Sequence, residues 1–284
     1  MNEENQKNIL KVNSWFKPIE EGIKIVLKSD RIHSIFIQSR GGLSKTTTTL
    51  NTLKEEGKEF EHISNYGTPV ELINFFYTNR NKIIILDDFE TIWGLGTKGI
   101  NILKGALWGS GKENTRTIGY LTTSKLLKAP SKFEFKGKLI ILLNKIPEKQ
   151  NRLVKALLSR ALVYEMDLNY KETMELLFDF SKLDYPMVSY EKREEIYNYL
   201  KQNTDSSNLE DLNFRTLIKL YEVYKVKKDT WREFLPMVLS RNERLILLKK
   251  FLQKTRSVKD AQELWSKEFG LSRRQFFREK RKIS

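Results

Sequence analysis

The run Ile83-Ile84-Ile85-Leu86-Asp87-Asp88-Phe89-Glu90 constrains this chain more than any other stretch. Four consecutive apolar residues that stop at two carboxylates predict a strand buried on both faces, the habit of a parallel sheet covered by helices. Asp87 and Asp88 then emerge at the carboxyl end of that strand, the edge where open α/β sheets bind ligands. A carboxylate there can hold Mg2+ directly or through water, and its neighbour can orient a water for attack. A buried strand ending in acids only for solubility is the alternative. The rest of the chain decides between them by supplying partners.

The first partner is Ser39-Arg40-Gly41-Gly42-Leu43-Ser44-Lys45-Thr46, which follows a short apolar strand at Ile35-Phe36-Ile37 and precedes a predicted helix from Thr46 to about Glu56. Strand, glycine-containing loop, Lys-Thr and helix is the plan of a phosphate cradle. Backbone N–H groups and the helix N-terminus surround phosphate, Lys reaches the β- and γ-oxygens, and Thr takes Mg2+. The usual pattern is G-x-x-x-x-G-K-[ST]. Here Ser39 and Ser44 stand at both glycine positions, and close approach survives if Ser44 does not need positive φ. A plain Gly-Gly turn between strand and helix is the competing explanation.

The remaining elements alternate. Residues 1–28 read as helical, with Ile19, Ile23, Ile25 and Val26 on an apolar face that covers the sheet or makes a subunit contact. Residues 60–64 read as a short strand, and Thr68 and Pro69 start a helix that runs to about Thr78. Leu95 to Lys112 is glycine-rich with a helical core at 99–108. Arg116 to Leu121 and Phe133 to Lys136 pair as a hairpin, and Lys138 to Asn144 is a second continuous apolar strand. A helix at Arg152 to Arg160 and a strand at Leu162 to Met166 complete a parallel α/β pattern. After Lys171 only helical patterns remain, with a surface loop at Asn203 to Asn208 and a link at Lys227 to Pro236.

Composition excludes several classes. With no cysteine in 284 residues there are no disulfides, thiolate catalysis or Cys-based zinc sites, and two histidines, His33 and His62, argue against a His-rich metal site. No run of eighteen apolar residues exists and the start of the chain is polar, which predicts an intracellular, cytoplasmic protein without a signal peptide. The net charge of +15 points to an acidic partner, most simply nucleic acid, unless the whole proteome is lysine-rich. Its location decides. Residues 241–284 hold fourteen Lys and Arg against five Asp and Glu, so +9 of the +15 lies there.

That tail has a pattern of its own. A helix through Leu245-Ile246-Leu247-Leu248 precedes a second one, capped by Ser257 with Asp260, that runs through Trp265. Phe269-Gly270-Leu271-Ser272 is a tight turn, and residues 273–282 form a third, basic helix. Helix, glycine turn and Ser-capped basic helix resembles a helix-turn-helix module, with the last helix in the major groove of duplex DNA. Val258, Ala261, Leu264, Trp265 and Leu271 are its expected core. Arg273, Arg274 and Gln275 are placed for base edges, and Arg278, Lys280, Arg281 and Lys282 for phosphates.

The ordered set of motifs over residues 30–225 resembles the AAA+ ATPases, and among them the small ATPases of phages and other mobile elements. It consists of Ser39 to Thr46, Tyr66 to Pro69, Ile83 to Asp88, Leu103 to Leu107, Phe133 to Ile140, Asn144, Ser159-Arg160 and Asn213 to Thr216. The resemblance implies an α/β P-loop domain at 1–170 whose parallel sheet has helices on both faces, an α-helical lid at 171–236 and the basic module at 237–284. It implies that Ser39, Gly41, Gly42, Leu43, Ser44, Lys45, Thr46 and Thr47 bind nucleotide, Lys45 on phosphate, and that Thr46 and Asp87 hold Mg2+. Asp88 stands where the family usually has a water-polarising glutamate; either it holds the water differently or Glu90 helps. Asn144 corresponds to sensor 1, Arg160 to an arginine finger acting on a neighbouring subunit, and Arg215 to sensor 2. The expected activity is Mg2+-dependent ATP hydrolysis by a ring or filament on duplex DNA, in replication or maintenance of a virus- or plasmid-type element. A nucleotide-gated DNA-binding regulator with little turnover and a loader of a replicative helicase are the alternatives.

Overall fold

The computed structural model describes residues 3–64, 68–108, 115–147, 150–239, 248, 251–252, 254–255 and 257–281. Tyr66, Gly67, Lys282 and the expected helical residues Leu245-Ile246-Leu247 lie outside them. The chain divides into two compact units, one of residues 13–167 and one of residues 1–12 with 168–284.

The first unit is built on seven strands: β1 (Ser34–Ser39), β2 (Phe60–Ser64), β3 (Ile83–Asp87), β4 (Arg116–Gly119), β5 (Lys132–Phe135), β6 (Lys138–Leu143) and β7 (Leu162–Met166). Five form a sheet in the order β2-β3-β6-β1-β7, and every pairing in it is parallel. All five carboxyl ends therefore share one edge. The continuous apolar runs are double-sided, as expected. Phe36, Ile84, Leu86, Leu139, Ile141 and Leu143 pack into one core with residues of the helices at Pro69–Thr78 and Gly96–Leu107. The alternate residues Ile35, Ile37, Ile85, Ile140 and Leu142 are equally buried on the opposite face.

The amino-terminal stretch is two helices, not one: α1 (Glu3–Ser14) and α2 (Lys17–Lys28). Pro18 lies in the first turn of α2, where its missing N–H costs nothing but would have interrupted a continuous helix. α2 lies against β1, β6 and β7. The approach is close enough that a Cβ on Gly22 would sit 2.6 Å from Ile35 Cδ1. Ile19, Ile23 and Val26 are fully buried, whereas Ile25, expected on the same face, is 50% exposed. Positions 19, 23 and 26 follow the helical stripe and 25 falls off it.

The three helices that follow are α3 (Lys45–Glu55), α4 (Pro69–Thr78) and α5 (Gly96–Leu107). α4 starts where the sequence predicts, in a capping box that pairs Thr68 and Glu71 in both directions with Pro69 in the first turn. β4 and β5 form the expected antiparallel hairpin, separate from the main sheet. Asn74 of α4 pins the hairpin loop, accepting from the N–H groups of Lys128 (2.8 Å) and Ala129 (3.0 Å) and donating to Leu126 O (2.9 Å).

The amino edge of the sheet is cationic. Lys138, at the start of β6, donates to Ser29 O (2.7 Å), Leu27 O (3.0 Å) and Val26 O, closing off the last carbonyls of α2. Arg116 is buried, donates to Gly137 O and lies 5.1 Å from the Phe135 ring centroid. Burial lowers its pKa to about 10. His33 beside them is lowered to about 4, first by burial and then by the charges of Arg116 and Lys138.

The last helix of this unit is α6 (Arg152–Leu158), capped by Asn151. The second unit carries α7 (Tyr170–Ser181), α8 (Tyr190–Gln202) and α9 (Phe214–Val226), packed through Leu176, Leu177, Ile196, Leu200, Leu217 and Leu220. The segment expected as a link, Lys227 to Pro236, is instead packed into this unit. Trp231 is 1% exposed and meets Tyr199 edge to face at 5.1 Å, and Leu235 opens a short helix α10 (Leu235–Val238). A lysine-rich sequence hid one buried tryptophan.

Helices α11 (Val258–Phe269) and α12 (Arg273–Lys280) follow, joined at Gly270, whose φ of +62° is the left-handed cap that glycine adopts without strain. Ser257 caps α11 on the Asp260 N–H, as predicted. The core of this pair is Leu248, Ala261, Trp265 and Phe276, all buried. Leu271 packs against it, but Val258 and Leu264 are 41% and 44% exposed, contrary to expectation. Phe276 of the basic helix, absent from the expected core, is part of it.

Candidate nucleotide site

Strand order explains why the motifs meet. β6 runs between β1 and β3, so Asn144, the residue after β6, stands between the loop that follows β1 and the acids that end β3. Lys45, the first residue of α3, donates from Nζ to Ser39 O (2.7 Å) and Asn144 Oδ1 (3.0 Å), with a longer contact to Arg40 O (3.4 Å). Asn144 Nδ2 donates in turn to Asp88 Oδ1 (3.2 Å). With an ammonium on one side and a carboxylate on the other, only this orientation of the amide satisfies both neighbours. Thr46 Oγ1 lies 2.9 and 3.1 Å from the two oxygens of Asp87. Glu90 accepts the backbone N–H of Asn144. It therefore fixes the backbone at Asn144 through one of its two carboxylate oxygens.

The two departures from the usual motif share a backbone conformation. Ser44 has φ +56° and ψ +15°, and Asp88 has φ +49° and ψ +43°. Among the described residues only Met187, at +63°, is another non-glycine residue with positive φ. The condition attached to Ser44 is therefore not met. It occupies the left-handed region, which costs an L-residue roughly 1–2 kcal/mol. Asp88 now has a physical reason to be Asp rather than Glu. Asp and Asn tolerate the left-handed region better than residues with longer side chains. The short side chain still reaches Asn144.

The other predicted cradle residues divide by what they can offer. Gly42, at φ +77°, makes the turn, and a Cβ on Gly41 would stand 3.7 Å from Asn144 Oδ1. Leu43 is completely buried and Ser39 nearly so, so both contribute backbone only. Thr47 is exposed in the first turn of α3.

A donor set for Mg2+ is present. Thr46 hydroxyl and Asp87 carboxylate adjoin the phosphate loop, and Asp87 is 7% exposed. Among the described residues no group of three His, Asp or Glu side chains could hold a metal alone. Thr46 and Asp87 offer the one or two protein oxygens that Mg2+ commonly takes beside phosphate and water. Sequence reasoning missed one neighbour: His62 Nε2 on β2 lies 3.1 Å from Asp87 Oδ2. Only the pairing of β2 with β3 brings it there, and no local pattern reports that pairing.

Of the remaining predicted residues, Arg160 belongs to the α/β unit and the others to the helical unit. Arg160 follows α6 in the same unit and donates to Ala156 O. Arg215 is exposed in the first turn of α9, in the helical unit. On α12, Arg273, Arg274, Arg278 and Arg281 are exposed and Lys280 is half-buried. Arg273 lies 5.6 Å from the Phe277 ring centroid. Gln275 is engaged in the capping box with Ser272, which occupies its carbonyl oxygen. Among the described residues no helix is long and apolar enough to cross a membrane.

No protein-family model and no curated protein matches the chain. Solved structures do. Two variants of Thermotoga maritima RuvB superpose with a TM-score of 0.51 at 13% and 12% identity, covering 92% of this chain and 82% of theirs. The fold is the AAA+ P-loop fold. At this identity the likeness is one of architecture. RuvB from the same organism, described as a Holliday junction branch migration motor, matches with a TM-score of 0.49 at 12% identity, over 94% of this chain and 82% of its own.

Proposed function

We propose that this chain is an ATPase that binds and hydrolyses Mg·ATP at the carboxyl edge of its sheet and assembles with further copies of itself on duplex DNA. The observation that carries the reading is the linkage Ser39–Lys45–Asn144–Asp88 beside Thr46–Asp87. Three segments separated by up to about a hundred residues supply one ammonium, one amide, one hydroxyl and two carboxylates to one place, and phosphoryl transfer needs little else from a protein.

In this reading Lys45 exchanges its carbonyl and amide partners for phosphate oxygens. The chemistry that Mg2+ supplies when held by Thr46 and Asp87 is neutralisation of charge on those oxygens. Asp88 orients the attacking water, and Asn144 holds that water or the terminal phosphate. Arg160 stabilises transition-state charge on the nucleotide of a neighbouring copy, and Arg215 acts as the corresponding lid arginine. The exposed arginines of α12, with Lys280, Arg281 and Lys282, bind duplex DNA as the last helix of a helix-turn-helix. Replication or maintenance of a virus- or plasmid-type element is the process such an assembly serves.

One observation favours a second reading. Left-handed Ser44 and the short Asp88 sit where fast hydrolysis is organised. A nucleotide-gated DNA-binding switch with slow turnover would tolerate both. ATP turnover by wild type and Lys45→Ala, with and without duplex DNA and across protein concentration, separates the readings. Cooperative, DNA-stimulated turnover lost in Lys45→Ala supports the ATPase. Tight ATP binding without turnover supports the switch. Absence of ATP binding overturns both.

A further inference from the structure

Asp87 is surrounded more completely than a metal carboxylate at a strand end requires. Oδ1 accepts the Asp88 N–H at 3.0 Å, and Oδ2 faces His62 Nε2 at 3.1 Å. Thr46 Oγ1 reaches both oxygens, but it carries a single proton and donates to one at a time. When that hydroxyl gives a lone pair to a cation it keeps its proton for one of the two oxygens, and the Asp88 N–H on Oδ1 with the imidazole on Oδ2 fixes the plane of the carboxylate whichever oxygen the hydroxyl serves.

From this geometry we infer that His62 is a positioning residue, fixing the Asp87 carboxylate so that Mg2+ is taken up with nucleotide at low metal concentration. The inference rests on the proposed Mg·ATP reading of the site. Its role requires the ring proton on Nε2. Outer partners of metal ligands act in this way, holding ligand orientation, and their loss commonly weakens metal affinity 10–100-fold. The strand supports the assignment. β2 is the edge strand of the sheet, and in its register His62 lies beside Ile85, two residues before Asp87. From there an imidazole spans diagonally to the carboxylate. Ser64, directly opposite Asp87 in the ladder, has no hydrogen bond to it among those described.

The test is a titration of Mg2+ into the full chain with a fluorescent ADP analogue, after chelation, for wild type, His62→Ala and His62→Gln. Glutamine keeps an N–H donor on a side chain of similar reach. The expected result is a Mg2+ half-saturation raised about tenfold in His62→Ala and largely restored in His62→Gln, with metal-free nucleotide affinity equal in all three. A purely structural histidine would lower metal-free and metal-dependent binding together and leave glutamine unable to rescue, and that outcome overturns the inference. So does a wild-type Mg2+ response in His62→Ala. Should His62→Ala fail to fold, a His62→Gln response equal to wild type alongside a raised half-saturation in His62→Leu supports the inference equally well, and equal half-saturations in both overturn it. Wild-type protein that binds the analogue neither with nor without Mg2+ removes the nucleotide-site reading itself, a failure distinct from that of His62.

Discussion

Two turns that lead into helices pass through the left-handed region, and the chain treats them differently. In the turn between α11 and α12 the residue is Gly270, at φ +62°. Before α3 it is Ser44, at φ +56°. The backbone needs are nearly the same, yet the C-terminal turn uses the residue that meets them freely and the phosphate loop does not. Asp88 repeats the pattern in the same site, at φ +49°. Of the three non-glycine residues with positive φ among the described residues, Ser44 and Asp88 sit where chemistry is proposed, Met187 lies in the helical unit, and the described part of the basic module has none.

The largest expected effect tests the strained side. Asp88→Asn keeps the conformation and the reach of the side chain but removes its charge. Turnover should fall by about 10²–10³, the loss of a preorganised catalytic group, with ATP affinity within a few-fold of wild type. A single-turnover assay beside an equilibrium binding titration reads both. Loss of binding and turnover together would mean that Asp88 holds the loop and not the water.

Acid should separate the two regions next. His33 is neutral in the folded α/β unit, with a pKa of about 4 against 6.5 when exposed. Below about pH 6.5 the unfolded chain therefore takes up a proton that the folded one refuses until about pH 4. Stability is present above that window and is lost as pH falls through it, by at most about 3 kcal/mol at 1.4 kcal/mol per unit. Chemical denaturation of wild type and His33→Gln across this range should show the slope flattened in the variant, and parallel slopes would refute the assignment.

The relaxed side is tested by Arg273→Ala with Arg274→Ala. The pair should weaken duplex binding by roughly tenfold or more in an electrophoretic or anisotropy assay, with ATP affinity unchanged. Loss of both functions would argue against separate modules. The smallest effect addresses the comparison itself. Ser44→Gly should raise stability by about 1 kcal/mol by removing the left-handed penalty, and Gly270→Ala should lower it by about the same. Equal signs in the two denaturation curves would mean that the conformations are not held as described.

Much of this was legible in the sequence because it is local. The Ile83–Asp87 run, the Thr68–Pro69 start of α4, the Ser257 cap and the order of elements depend on neighbours within a few residues. They stand where the periodicity and capping rules put them. What was not legible depends on distant pairings or on a torsion angle. No pattern near residue 62 announces that β2 will bring His62 to Asp87, and no composition argument finds Trp231 inside a lysine-rich segment. The positive φ of Ser44 reverses an expectation because serine permits both conformations while the surrounding loop selects one. The module core was half right for a related reason: Phe276 looked like part of a charged helix until its partners Trp265 and Ala261 were in place.

β6 has a fastening at each end. At one, Asn144 joins Lys45, Asp88 and Glu90; at the other, Lys138 clasps the final carbonyls of α2. In between, the strand is hydrogen-bonded on both sides to β1 and β3 and buried on both faces, so it has almost no slack. A six-residue strand so confined behaves as a pushrod. A shift of Asn144 has to reappear as a tug on α2 at the opposite edge of the sheet. The occupancy of the proposed phosphate loop would thus be felt by α2 through the strand as well as through α3.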